Sequence, residues 1–486
     1  MNSPVPLNAL FAILPESILA ISASLLFVME PFIPKNKRDI IGYFALVALA
    51  ISGLSLIPLW GENISAFNGM IVVDLYAVVF KAILLITSGL TILISIRYIK
   101  IEKIHLGEYY GLILFATIGM TLLPSTSDLL SFYLSLELMS MSFYILAAFM
   151  RKDGKSIEAG IKYFLTGILT SGLMLYAIAL LYGLTGTTHL GAMKAFFASN
   201  PTPSILASPM LLFALVLLVA GFGFKIAAVP FHMWAPDVYE GAPTPISAFL
   251  SVGSKLATFS AMLRIFVFGL AISHGDWWKL LWVVAVLTMT LGNVAALVQT
   301  NFKRLLAYSS ISHAGYLLMG LMAKSEYGMA AVVIHAVAYL FMTAGAFTMV
   351  ILVCKQGNRG DLIQDMKGLG QAYPVVGVAF ILFALSLIGI PPTAGFIGKL
   401  FLFGAAIEGE FYWLAVIGII NSVISLYYYF KVATVMFMEK APNDLHLSSS
   451  IPLNIGLLLM SFATLAIGLY PEPLIQTAFS SIRVLF

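Results

Sequence analysis

Charge is what this chain of 486 residues lacks most: Asp, Glu, Lys and Arg make up 10% of it, against about 25% in a soluble globular domain. So little charge cannot furnish a water-facing surface. With 60% apolar residues and a mean hydropathy of +0.99, the composition excludes a soluble fold and any sizeable soluble domain. Cysteine is scarcer still. The single Cys354 rules out an intramolecular disulfide and any cluster held by several thiolates of this chain. No CxxCH, GxGxxG or P-loop pattern stands in a usable context. His232, His313 and His335 are chemically able to hold a haem, but no signature pairs them as axial ligands. The chain is therefore expected to carry no cofactor or metal. The net charge of +4 says little about partners and does not point to nucleic acid, because the basic residues follow topology. The N-terminal run MNSPVPLNALFAILPESILAISASLLFVMEPF has no positive stretch ahead of it and is followed by Lys35, Lys37 and Arg38, which reverses a signal peptide and predicts a retained first helix.

What the chain has is apolar runs. A spanning helix needs roughly 20 apolar residues, and the sequence divides into about fourteen such runs with short connectors. The fold class predicted is an all-α polytopic membrane protein. Alternate connectors are basic: Lys35, Lys37 and Arg38; Arg97, Lys100 and Lys103; Arg151, Lys152 and Lys155; Lys303 and Arg304; Lys355, Arg359 and Lys367; and Lys440. The other side holds only Lys194, Lys279, Lys324 and Arg483. The positive-inside rule makes the first set cytoplasmic, and an even number of spans then puts both termini outside.

Two apolar segments contain proline with lysine close by. GFGFKIAAVPFHMW (221–234) lies in the run 206–233, and LIGIPPTAGFIGKL (387–400) lies in the run 374–403. Proline in a helix interior removes a hydrogen bond and clashes with the preceding turn, so both runs are predicted to be broken helices. Their separation suggests an inverted repeat, an arrangement in which broken helices mark a transport site. The expected organisation is N-terminal spans over 1–108, a first five-helix repeat over 109–268, an inverted second repeat over 278–438, and a last span within 439–486.

A short set of charges remains inside the runs: Lys81, Glu137, Lys162, Lys225, Lys255, Arg264, Lys399 and Lys431. Each costs about 2.5–3.5 kcal/mol at the centre of a bilayer, so partners, water or neutralisation must offset it. Arg264 and Lys431 stand near span ends, where snorkelling or a structural ion pair suffices. Asp74 is a candidate neighbour of Lys81, and Glu158, one turn before Lys162, is its candidate partner. Glu137 lies too deep to snorkel and is flanked by Ser135, Ser140 and Ser142. Lys255 sits among Ser251, Ser254 and Thr258. Burial lowers the affinity of a lysine for its proton and a nearby carboxylate raises it, so a row of such lysines is a physical design for moving protons. His313 is suited to bridge them, although a helix–helix hydrogen bond accounts for it equally well, and His335 is read as such a bond. His232 is a candidate for the entrance. The connector WAPDVYEGAPTP (234–245) is read as a rigid turn set by its prolines, with a docking surface as a second reading.

The segments SLELMSMSFYIL, EAGIKYFLTGILTSG, GFGFKIAAVPFHMWAPDVYEGAPTPISAFLSVGSKLA, NFKRLLAYSSISHAGYLLMG and GIPPTAGFIGKLFLF, in that order, resemble the antiporter-like subunits of respiratory complex I. PDVYEGAPTP, and lysine rather than glutamate at 399, favour the subunit N branch of that family. The resemblance implies that Glu137 modulates a nearby lysine. It further implies that Lys225, Lys255 and Lys399 are proton-carrying lysines of the seventh, eighth and twelfth helices, with Lys399 at an exit or exchange site. His313 then falls at a tenth-helix histidine and Lys162 at a sixth-helix lysine. The function implied is proton translocation without redox chemistry in this chain, as a subunit of an NADH–quinone oxidoreductase in the bacterial inner membrane. Flavin, iron–sulfur clusters and quinone are then expected in other subunits, and the partners are further membrane subunits, antiporter-like ones among them. A sodium-moving antiporter subunit and a static membrane scaffold are the alternatives from other classes.

Overall fold

The computed structural model describes residues 7–34, 38–104, 107–200, 208–270, 274–355, 360–442 and 445–485; the connector residues Lys35, Lys37 and Arg359 lie outside them. The principal helices are α1 Leu14–Met29, α2 Asp39–Leu54, α3 Leu75–Ile101, α4 Glu108–Leu122, α5 Leu129–Ala147, α6 Gly154–Thr185 and α7 Pro209–Lys225. They continue with α8 Trp234–Gly241, α9 Thr244–Gly269, α10 His274–Leu297, α11 Phe302–Ala323 and α12 Glu326–Val353. The last are α13 Pro374–Ile388, α14 Ala394–Glu408, α15 Tyr412–Met438 and α16 Ile451–Leu469. Among the described residues, 11 helices are long and apolar enough to cross a membrane, and α7 and α13 are shorter apolar helices. The only paired strands among the described residues form a small antiparallel hairpin, Ile64–Ala66 against Ile71–Val73.

Helix starts follow local chemistry. Side chains of Asp74, Asp128, Asp153, Ser208, Asn301, Ser325 and Ser450 accept a backbone N–H of the first turn of α3, α5, α6, α7, α11, α12 and α16, which satisfies a donor the helix cannot. Pro209 and Pro374 stand in the first turn of α7 and α13, where a missing N–H costs nothing.

The two proline-bearing runs do break. In the run 206–233, helix ends at Lys225 and residues 226–233 are non-helical, with Ala227 at φ 57° and a cis Val229–Pro230 bond. In the run 374–403, helix ends at Ile388 and resumes at Ala394, with Gly389 at φ 94° and a cis Pro391–Pro392 bond. Pro230 and Pro392 therefore stand between helices and not inside one. The segment expected as a rigid turn is instead the helix α8, followed at once by α9: Pro236 falls in the first turn of α8 and Pro245 in that of α9, positions that tolerate proline. Helix α9 is buried but for half-buried Phe268 and carries π-helical turns at Leu250–Ser254 and Leu263–Gly269, on either side of Lys255–Met262. Such turns are rare and cluster at functional sites. Helices α9, α11 and α12 form the interior, while α6, α10, α15 and α16 expose apolar side chains such as Leu169, Val294, Val423 and Phe462.

Candidate functional site

At the first break, Lys225 is the last residue of α7 and is 2% exposed. Its ammonium donates to Ser140 Oγ of α5 at 2.6 Å, and the Tyr144 and Phe224 rings lie 5.8 and 5.9 Å away. The carbonyls that close α7 are already taken: Phe222 accepts from Ile226 N, Gly223 from Ala228 N, and Phe224 from Ala227 N and the Trp234 indole. Glu137, one turn before Ser140, accepts from Ser171 Oγ of α6 at 2.5 Å. Among the described residues no ion pair joins Glu137 to Lys225: the ammonium is held by Ser140 and the carboxylate by Ser171.

Beyond this break the buried polar groups run in series. Lys255 donates to the carbonyl of Ser310 at 2.6 Å and to its hydroxyl. Ser251 joins Ser310 at 3.0 Å and the Tyr339 hydroxyl at 2.9 Å. The Tyr339 ring lies 5.1 Å from that of His313, whose Nδ1 meets His335 Nε2 at 3.2 Å. The Leu387 carbonyl accepts from Lys399 at 3.0 Å. Lys399 donates in addition to the Ile388 carbonyl at 2.8 Å and to Ser422 Oγ at 2.9 Å, above the Tyr316 ring at 4.7 Å. Each N–H of the ammonium thus has an acceptor. Gly389 makes room for this arrangement. It ends α13 in the left-handed conformation, and a Cβ there would come within 2.8 Å of Lys399 Cδ.

Lys162 lies elsewhere. Its side chain is 44% exposed and pairs at 2.7 Å with both Glu158 and Asp237. Arg304 bridges Asp237 and Glu240 at 2.7 and 3.1 Å, Lys155 holds Glu240 at 2.8 Å, and buried Lys303 donates to the carbonyls of Glu240 and Ala242. The acidic residues of α8 are therefore pinned to α6 and α11. Partial burial works against ionisation of Asp237 and Glu240. Hydrogen bonds from Lys162 and Arg304 on one, and from Lys155 and Arg304 on the other, hold both carboxyls below their ordinary range all the same. His232, within the first break, is buried, and its Nδ1 has no hydrogen-bond partner among the described residues.

Several side chains differ from expectation. Lys81 pairs with Glu16 at 2.9 Å and not with Asp74; the partner comes from α1, which spacing along α3 could not reveal. Of the two readings for Arg264, snorkelling or a structural ion pair, it is the ion pair that forms. Arg264 is buried against Asp74 at 2.9 Å and donates to the Pro124 carbonyl. Lys431 reaches the Gln299 carbonyl at 3.2 Å. His335 does make the helix–helix bond assigned to it, but its partner is His313, which places it between Lys255 and Lys399. Ser422 gave no signal in sequence, being one hydroxyl among many. Among the described residues no group of three or more His, Cys, Asp and Glu side chains is placed to hold a metal ion. The arrangement as a whole is a buried file of lysines, histidines and hydroxyls capable of holding and passing protons.

Comparison with known proteins bears on this arrangement. Residues 126–425 match the family described as NADH:quinone oxidoreductase/Mrp antiporter, TM. The NADH-quinone oxidoreductase subunit N of Trichlorobacter lovleyi is 41% identical over 474 residues, covering 97% of both chains. A chain of respiratory complex I from Thermus thermophilus superposes with a TM-score of 0.80 at 32% identity, covering 95% of this chain and 98% of that one. A chain of the Mrp complex from Dietzia sp. reaches 0.84 at 21% identity over 99% and 98%, a likeness of fold.

Proposed function

The chain belongs to the NADH:quinone oxidoreductase/Mrp antiporter membrane family, alongside its subunit N members, and on that premise we propose that it is a proton-translocating, non-redox membrane subunit of an NADH–quinone oxidoreductase. Flavin, iron–sulfur clusters and quinone belong in this reading to other subunits, and further membrane subunits, antiporter-like ones among them, are the partners. Its place is the bacterial inner membrane.

The observation that carries the reading is the buried file itself. Lys225, Lys255 and Lys399 are each 3% exposed or less, and among the described residues each ammonium is held by hydroxyls or carbonyls and not by a carboxylate. A cation held by neutral dipoles in a low-dielectric interior responds strongly to any charge that changes nearby. Protons enter beside His232, occupy Lys225 and Lys255, and pass through Tyr339, His335 and His313 to Lys399. Glu137 acts on Lys225 through the intervening space. Lys162 contributes through the ion pairs that fix α8 and not as a member of the file. Moving one proton against 100 mV costs about 2.3 kcal/mol, which a change of roughly two pKa units on one lysine would match.

Fourteen spans, with inverted five-helix units over 109–268 and 278–438, are the finer reading of the fold. It is supported by the break at 226–233 in one unit and at 389–393 in the other. Both termini lie on the periplasmic side. Contacts that join basic connectors to one another's neighbours support this orientation, among them Lys155 with Glu240 and Lys303 with the Glu240 carbonyl.

The test is proton translocation by the assembled complex. Glu137→Ala and Lys225→Ala are expected to lower protons moved per electron and the coupled rate of quinone reduction. Normal pumping by either fully assembled variant would remove that residue from the mechanism.

A further inference from the structure

We propose that Ser422 is a positioning residue for Lys399, its hydroxyl turning with the lysine's protonation state so that either form is hydrogen-bonded; this rests on the proton-carrying role given to Lys399 above. Ser422 Oγ accepts from the Lys399 ammonium at 2.9 Å and donates to the Ile388 carbonyl at 2.7 Å. That carbonyl also accepts from Lys399 at 2.8 Å. The three groups close a ring at the C-terminal end of α13, where carbonyl dipoles favour a cation.

Several hydroxyls in other spans behave differently. Thr87, Ser88, Thr91, Ser95, Ser135 and Ser140 donate back to the carbonyl one turn earlier in their own helix, the habitual choice of such side chains. Ser422 directs its proton to another helix, at the break itself. Loss of a proton from Lys399 leaves an amine with a lone pair and one donor fewer. With the lone pair turned toward Ser422 Oγ, the two remaining N–H groups stay on the Leu387 and Ile388 carbonyls, and it is the amine nitrogen that needs a donor. A rotation about the Ser422 Cβ–Oγ bond redirects the hydroxyl proton from the carbonyl to the amine nitrogen. No bond to carbon changes, and the transferred proton leaves through the file. The neutral amine keeps a partner in a place without bulk water, where an unmet polar group costs about 1–3 kcal/mol.

The experiment uses the assembled complex in vesicles, reading protons moved per electron. Ser422→Ala is expected to lower coupled translocation about two- to tenfold, the range for one hydrogen bond of this kind. Ser422→Thr should restore it, and Ser422→Val, equal in shape to threonine but without the hydroxyl, should not. In a Lys399→Met background Ser422→Ala should bring no further loss, because the two act as one unit. Wild-type translocation by Ser422→Ala, equal behaviour of the Thr and Val variants, or a Ser422→Ala loss that persists without Lys399 would each overturn the proposal. Normal pumping by Lys399→Met alone would instead overturn the role of Lys399 on which the proposal stands.

Discussion

The two helix breaks begin from similar sequence and end as different electrostatic devices. In the first, lysine precedes the break, and the freed carbonyls of α7 are consumed by backbone N–H groups and the Trp234 indole. Lys225 is left with one hydroxyl, Ser140, whose own proton is committed to Leu136 O. In the second, lysine follows the break and reaches back to two carbonyls of α13 and to the hydroxyl of Ser422. One cation is thus loosely held and the other fully satisfied. The order of proline and lysine along the chain decides it: a lysine that ends a helix points away from that helix's last carbonyls, and one in the next helix can cap them. A loosely held lysine suits a site that answers a distant carboxylate, and a satisfied one suits a site where charge rests.

A third lysine sets the scale. Lys81, buried against the Glu16 carboxylate at 2.9 Å, resembles neither break. Lys81→Met should cost about 3–5 kcal/mol by stranding a buried carboxylate, seen as a lower melting temperature or poor assembly. Adding Glu16→Gln should recover most of that. Undiminished stability in the single variant would mean that a direct carboxylate does not separate this lysine from the other two.

Ser140→Ala removes the acceptor of Lys225 and should lower coupled pumping by about tenfold or more, since hydrogen bonds to charged groups contribute roughly 1.5–3 kcal/mol. That loss should exceed the loss from Ser422→Ala, where two carbonyls remain. The reverse order in pumping assays would break the contrast between the two cradles. Gly389→Val should be milder in stability, about 1–2 kcal/mol for a side chain in the left-handed conformation, but should displace Lys399 by crowding its Cδ. A normal pumping ratio in that variant would show that the lysine does not need its carbonyls.

The smallest effects belong to the exposed cluster around α8. Its lowered carboxyl affinities contribute stability that is present above about pH 4–4.5, where these groups are ionised even in the unfolded chain. That contribution is lost as pH falls through the lowered values. Asp237→Asn should therefore shift the melting temperature of the complex slightly at pH 7, by less than about 1 kcal/mol, and less still in high salt. A large, salt-independent shift would mean that α8 is held by something other than these pairs.

Much of the site could be read from the chain. Lys225, Lys255, Lys399, Glu137 and His313 stand out because a charge or imidazole inside an apolar run needs a reason. Prolines within two of those runs placed the breaks. Lys162 was equally visible, yet the structure sets it among surface ion pairs, because hydropathy does not distinguish a helix face turned outward from one turned inward. His335 and Ser422 were hard to weigh for a related reason: histidine and serine are common in packed helices, and only their neighbours across helices distinguish them. The helix at 234–241 is hidden in the sequence because proline suits a turn and a first helical turn alike, and here Pro236 stands in the first turn of α8 and Pro245 in that of α9.

The sequence by itself determined the membrane class, the all-helical character, the two breaks and most of the buried cations, since each follows from composition or from backbone chemistry local to a few residues. The tertiary structure decided the pairings. It put Glu16 against Lys81, Asp74 against Arg264, His335 against His313, and Ser140 and Ser422 on their lysines. The physical reason is that these partners lie far apart along the chain, on helices whose packing brings them within hydrogen-bonding distance, and no local spacing encodes which faces will meet.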